Sequence, residues 1–265
     1  TRPTAASRPA RVEAVPEDGR LPQAAGMPAR LRAVAGPARP RAVVWDVGHV
    51  LYDWDPRYLY RKLIDDPERL DWFLSNVVTR EWHFQHDAGR PFAETSAELI
   101  GRFPAEAALI RLYGPRWLET LPGPIPGTHA LVERLAAAGV PQFAITNFSA
   151  EFWESFQPTA PVLRHFRDIV VSGRERLLKP DPAIFHLALQ RFGLGCGEAL
   201  FIDDNAANVE AAAASGLLPH LFRSADSLAQ ALDAVGLLPV EILPVPVAAS
   251  AMAGPNSRQR ANPYR

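Results

Sequence analysis

Between residues 42 and 222 short, nearly continuous apolar runs alternate with amphipathic segments, and this predicts an α/β fold built on a doubly wound parallel sheet. Two further observations sharpen that expectation. Most of the apolar runs lack polar alternation, as strands covered on both faces should. About ninety residues separate the first run from the second, too many for a crossover connection, and they read as entirely helical. The expected architecture is therefore a Rossmann-like sheet with a small α-helical cap inserted after its first strand.

The elements follow in order. The first strand is expected over Ala42–Asp46, where an apolar run ends in a carboxylate and is followed at once by Val47 and Gly48. Asp66-Pro67 supplies an N-cap and a proline at the first helical position, ahead of Leu70, Phe73, Leu74 and Val77 on one face. Trp82, Leu99, Ile100, Leu109, Ile110 and Trp117 continue the pattern, so residues 56–122 are assigned to the cap, with Trp72 and Trp82 read as core. Within it, His83 and His86 stand at i, i+3, a spacing able to ligate a transition metal. Lacking a third convincing ligand, His83-Phe84-Gln85-His86-Asp87 is read as the end of a cap helix. Leu131, Leu135 and Ala138 then share a helix face that Gly139 stops, before a second strand over Gln142–Thr146. Further strands are expected at Asp168–Ser172, Ala199–Asp203 and Leu217–Phe222. Asp181-Pro182 opens a helix with Phe185, Ala188, Leu189 and Phe192 at i, i+3, i+4 and i+7; Val209, Ala212 and Ala213 line another, ended by Gly216. Residues 41–55 and 123–238 form the expected sheet domain.

Composition bounds the rest. The 265 residues are 48% hydrophobic with a net charge of −1, ample for one core plus an insertion and with nothing to attract nucleic acid. Cys196 is the single cysteine, which excludes an intrachain disulfide or a cysteine-based zinc site. No apolar run reaches about 18 residues, so no membrane span is expected and a cytoplasmic protein is the default. Basic residues are nearly all arginine; Lys62 and Lys179 are the only lysines. Residues 1–40 are rich in Ala, Pro and Arg without apolar periodicity and read as a disordered leader, as residues 239–265 read as a tail. The arginines suggest a transit peptide, but Glu13, Glu17, Asp18 and the prolines oppose it; an overlong start, with Met27 as the beginning, is the competing expectation.

In an open α/β sheet, ligands bind beyond the carboxyl ends of the strands. The first expected strand ends at Asp46, the second at Thr146-Asn147 and the fourth at Asp203-Asp204, and Lys179 follows the third. Each alone has an ordinary explanation: a strand-end Asp as a helix cap, Thr146 as β-propensity, Asp203-Asp204-Asn205 as turn chemistry, Lys179 as a surface residue. In this order on successive strands they form one crevice.

At these residues the chain resembles the haloacid dehalogenase superfamily, most of whose members are phosphatases. DVGHVLYD, AITNFS, LLKPDPAIF and FIDDNAANVEAA are similar to its four motifs, the likeness spans roughly residues 42–222, and the helical insertion matches the first cap type of the family. The resemblance implies Asp46 as a nucleophile that forms an aspartyl-phosphate. It implies Lys179 as a cation near the phosphoryl oxygens, and Mg²⁺ held by the Asp46 carboxylate, the backbone carbonyl of Gly48 and the Asp204 carboxylate, with Asp203 assisting from behind. The Thr146 hydroxyl and the Asn147 backbone N–H would hold the transferring group. The implied substrate is a small phosphate ester.

One position departs from the pattern. Family phosphatases carry a second Asp two residues after the nucleophile, as acid and base; here that residue is Gly48. Three readings follow. In the first, the chain is a phosphatase whose acid comes from elsewhere: His49 and Asp53 lie nearby in sequence, and His83 or His86 could reach down from the cap. A bacterial branch acting on glucose 1-phosphate has a similar aspartate-x-glycine motif. In the second, it is a 2-haloacid dehalogenase, in which Asp46 attacks carbon without a metal and one of Arg57, Arg61, Arg80 or Arg90 binds a carboxylate; the retained Asp203-Asp204 pair weighs against this, because uncompensated carboxylates beside Asp46 are costly. In the third, it is a degenerate module that only binds a phosphorylated ligand.

Overall fold

The structure, a computed structural model, describes residues 39–238. The expected leader, Arg39 and Pro40 excepted, and the expected tail from Pro239 lie outside the described residues. Strand β1 (Ala42–Trp45) is followed by five helices, α1 (Arg57–Tyr60), α2 (Pro67–Asn76), α3 (Arg80–Asp87), α4 (Phe92–Arg102) and α5 (Ala107–Leu112). Helix α6 (Thr128–Ala137) leads back into β2 (Gln142–Thr146), followed by α7 (Ala150–Phe156), β3 (Asp168–Val171), α8 (Ser172–Glu175), α9 (Pro182–Phe192), β4 (Ala199–Asp203), α10 (Ala206–Ala214), β5 (Leu218–Leu221) and α11 (Ala225–Ala234). The strands form one parallel sheet in the order β3-β2-β1-β4-β5. No helix among the described residues is long and apolar enough to cross a membrane.

The continuous apolar strands have the cause the sequence suggests: both faces of the sheet are covered. Val43 and Trp45 point into one buried cluster, and Ala42 and Val44, with Phe143, Ile145 and Phe201, into the other. Chain direction across the sheet reverses at β1, which lies between β2 and β4, so the carboxyl ends of these three strands open onto the switch point where α/β folds bind ligands. Trp45 pairs with Ile202, and the Asp46 N–H donates to the Ile202 carbonyl at 2.8 Å, which sets residue 46 beside residue 203.

The helix starts form as expected. Asp66 accepts from the Glu68 N–H ahead of Pro67, and Asp181 accepts from the Ala183 N–H ahead of Pro182. Three side chains lie elsewhere than expected. Ala138 is exposed just beyond the end of α6, where Val132 takes the inward position. Ala213 is exposed on α10, whose inward face is Asn208 and Ala212; a run of alanines has too little polarity contrast to reveal a face. Trp72 is not core: it is 43% exposed, with the Arg69 guanidinium over its ring at 4.7 Å, whereas Trp82 is buried as expected.

Candidate active site

Asp46, directly after β1, is almost buried, and its Oδ1 accepts from the Val47 N–H at 2.7 Å and from Lys179 Nζ at 2.9 Å. Lys179 Nζ also donates to Asp203 Oδ2 at 2.7 Å, so one ammonium bridges the tips of β1 and β4. Asp203 is fully buried and saturated: Oδ1 accepts from the Asn205 N–H at 2.9 Å, and Asn208 Nδ2 reaches both carboxylate oxygens at 3.0 and 3.1 Å. Asp204 is less buried and, with Asp46 and Gly48, lines a cavity of about 130 Å³. One oxygen each from Asp46, Asp203 and Asp204 lie within 4.8 Å of one another.

The electrostatics follow from burial. Desolvation pushes the Asp46 carboxyl up to about 8, Lys179 pulls it back, and Asp203 adds to the rise. Desolvation also raises Asp204, and Asp203 raises it further. For Lys179 burial acts downward, but Asp203 and Asp46 outweigh it and hold the ammonium above its ordinary value. Three carboxylates thus share one lysine.

The Asn147 side chain makes contacts that the sequence did not suggest. It clamps the backbone of Lys179: Nδ2 donates to the Lys179 carbonyl and the Lys179 N–H donates to Oδ1, both at 2.9 Å. Thr146 is buried at the tip of β2 with no hydrogen-bond partner for its hydroxyl. Aromatic rings form part of the cavity walls, with Trp54, Phe84, Trp117, Phe148 and Phe156 among them.

The four groups considered as substitutes for an acid at position 48 separate clearly. His49 and His83 line the cavity. Asp53 is instead engaged by the Tyr58 hydroxyl at 2.5 Å, and His86 is buried in the insertion against Thr95 Oγ1 at 2.6 Å. Of the four arginines, Arg80 lines the cavity, whereas Arg57 pairs with Asp71 and Arg90 with Glu98. Sequence reasoning missed Asn208, the side-chain clamp of Asn147, and Asp87, which also lines the cavity. Only Asp87 carried a signal, being an acid in the last turn of a helix, where the dipole disfavours negative charge.

Known proteins resemble this chain in sequence and in fold. The chain is 28% identical over 197 residues to mouse acyl-CoA dehydrogenase family member 10, a match covering 67% of this chain but 17% of that protein. It is 23% identical over 205 residues to a sesquiterpene phosphatase of Aspergillus oryzae, covering 73% of this chain and 94% of the relative. A haloacid dehalogenase (HAD) family enzyme of Bacteroides thetaiotaomicron, crystallised with magnesium and inorganic phosphate, matches with a TM-score of 0.54 and 20% identity, over 70% of this chain and 95% of its own. The family model for haloacid dehalogenase-like hydrolases matches residues 40–216, the stretch that holds strands β1 to β4, the insertion and every group at the cavity floor, and the chain belongs to that family of hydrolases.

Proposed function

We propose that the protein is a magnesium-dependent phosphatase that hydrolyses a small phosphomonoester through an aspartyl-phosphate on Asp46. The observation that carries this reading is the charge balance of the cavity floor, where three carboxylate oxygens within 4.8 Å of one another face one ammonium. Surplus negative charge and an all-oxygen donor set suit a hard divalent cation. In this reading the Asp46 carboxylate, the Gly48 carbonyl and the Asp204 carboxylate hold Mg²⁺, while Asp203, already saturated, positions Lys179 from behind. When bound, the ion supplies the positive charge that lets a carboxylate approach a phosphate dianion. Lys179 neutralises the phosphoryl oxygens from the other side, and the unpartnered Thr146 hydroxyl and the Asn147 N–H donate to them. Residues 56–122 act as a cap that covers the substrate, on a core of residues 41–55 and 123–238. The phosphatase name of the Aspergillus relative and the magnesium and phosphate bound to the Bacteroides enzyme support this reading. A sugar phosphate remains a candidate substrate, and the aromatic walls extend the candidates to esters of apolar alcohols.

The test is phosphate release from sugar and alkyl phosphates, and halide release from 2-chloropropionate, each with and without EDTA. Phosphate should be released only with Mg²⁺, and Asp46→Asn should lower kcat by at least about 10³-fold with an unchanged circular dichroism spectrum. Phosphate release that survives full chelation would overturn the role of the metal, and full activity of the variant would remove Asp46 as nucleophile. Gly48 favours a second reading, the 2-haloacid dehalogenase, which metal-independent halide release would establish. Mg²⁺-dependent binding of phosphate esters without turnover would indicate a binding module.

A further inference from the structure

We propose that Asp87, on the last turn of α3, is the general acid and base of this site, in place of the carboxylate that Gly48 lacks. This rests on the phosphatase reading above. Asp87 lines the same cavity as Asp46 and Gly48, although it arrives from the helical insertion, forty-one residues after Asp46. At Gly48 the space is open: a Cβ built there would meet nothing within 4 Å, so the leaving group, or a carboxyl from another element, can occupy it.

Asp87 is only 3% exposed, yet its buried Oδ1 has no hydrogen-bond partner. The nearest ionisable neighbour on its own helix, His83, keeps Nε2 3.6 Å away, beyond hydrogen-bond distance. The position is firmly held. Ser172 Oγ donates to the Asp87 carbonyl at 2.7 Å and accepts from the Phe148 N–H at 2.9 Å, tying the end of α3 to α8 and to the loop after β2. The Ser149 N–H lies near enough to the carboxyl group to favour its charged form. Two residues on, Gly89 passes so close that a Cβ would lie 2.8 Å from the Gly173 carbonyl. Burial raises the Asp87 carboxyl to about 7, with the Ser149 N–H and Lys179 drawing it back, so near neutrality the group can both give and take a proton. His83 is the positioning neighbour: burial keeps it neutral, its Nδ1 is bonded to the Tyr113 hydroxyl at 2.7 Å, and its ring lies against Trp54.

The steps balance. As an Asp46 oxygen bonds to phosphorus, the P–O bond to the alcohol breaks and the departing oxygen takes the Asp87 proton. The resulting Asp87 carboxylate then takes a proton from water as that water attacks the aspartyl-phosphate. The P–O bond to Asp46 breaks, inorganic phosphate leaves, and both aspartates are restored.

The test compares wild type and Asp87→Asn on two esters with Mg²⁺: 4-nitrophenyl phosphate, whose leaving group needs no proton, and glycerol 2-phosphate, whose leaving group does. Asparagine keeps the shape of the side chain and an acceptor oxygen but holds no acidic proton. Asp87→Asn should lose about 10²-fold or more in kcat/KM on glycerol 2-phosphate. On 4-nitrophenyl phosphate it should keep a near-stoichiometric first-turnover burst of nitrophenol, followed by slow turnover for want of a base. The ratio of the two rates does not depend on how much of the variant folds, and the burst counts the competent sites. Equal losses in kcat/KM on both esters with no burst of nitrophenol, or wild-type turnover of glycerol 2-phosphate by the variant, would overturn the assignment and leave the phosphatase reading standing. So would His49→Asn, rather than Asp87→Asn, showing the dependence on leaving group. If wild type releases phosphate from neither ester, the phosphatase reading fails, and this inference with it.

Discussion

At the scale of single residues, the two lysines show that residue type leaves a role undecided until burial is known. Lys62 pairs with Glu119 at 2.9 Å on the surface, about half exposed, where such a pair contributes little. Lys179 is 4% exposed between two carboxylates, where removing any member would leave an uncompensated buried charge. Its placement depends on Asn147, a neutral residue that the motif marks only through its backbone. Asn147→Ala removes both side-chain hydrogen bonds to the Lys179 backbone, so urea unfolding should show a loss of about 1–3 kcal/mol. Phosphate release should fall with it, because the ammonium is no longer fixed between Asp46 and Asp203. Unchanged stability and rate would mean that the ion pairs alone hold Lys179.

At the scale of elements, helix starts are written locally and helix contacts are not. Asp-Pro marks the beginnings of α2 and α9 because the cap and the proline act within one turn. The seam between α7, α8 and the end of α3 depends on backbone approach instead. A Cβ on Gly173 would lie 2.5 Å from the Ala150 N and 2.8 Å from the Phe148 carbonyl, and neither backbone can yield as a side chain tip could. Gly173→Ala should therefore destabilise by roughly 2–3 kcal/mol, an overpacking cost read as a lower thermal midpoint. It should also impair catalysis, since Ser172 and Asp87 belong to the same seam. A midpoint within a degree of wild type would show that this contact relaxes freely.

At the scale of the whole molecule, the buried ionisable groups of the insertion make stability depend on pH. Burial lowers His86 to about 4, with Arg90 acting the same way. The folded protein therefore holds His86 neutral where the unfolded chain would protonate it below about 6.5. Its contribution is complete above that pH and is lost as the pH falls toward about 4. His83 acts in the same direction, whereas Asp87, raised to about 7, contributes more as the pH falls from 7 toward its ordinary value. The net slope is thus a difference, and His86→Gln isolates one part. Between pH 7 and 4.5 wild type should lose roughly 2 kcal/mol more than the variant, measured by urea unfolding at each pH. Parallel slopes would place the proton uptake elsewhere.

The sequence alone determined the α/β class, the five strands to within a residue at either end and the Asp-Pro helix starts, and it singled out Asp46, Lys179, Asp203 and Asp204, whose side chains lie together. The strands and helix starts rest on short-range chemistry or on apolar periodicity, and Asp46 and Asp203-Asp204 lie at the tips of the strands that carry them, whereas Lys179 follows β3 only after α8. Tertiary structure decided the rest. It saturated Asp203 with Asn208, turned the Asn147 side chain onto Lys179, and left Trp72 in solvent. It also brought Asp87 and His83 from the insertion to the cavity while keeping Asp53 and His86 engaged elsewhere. The reason is physical: a side chain's partner across the fold depends on how helices pack over the sheet, and local sequence does not encode that packing direction.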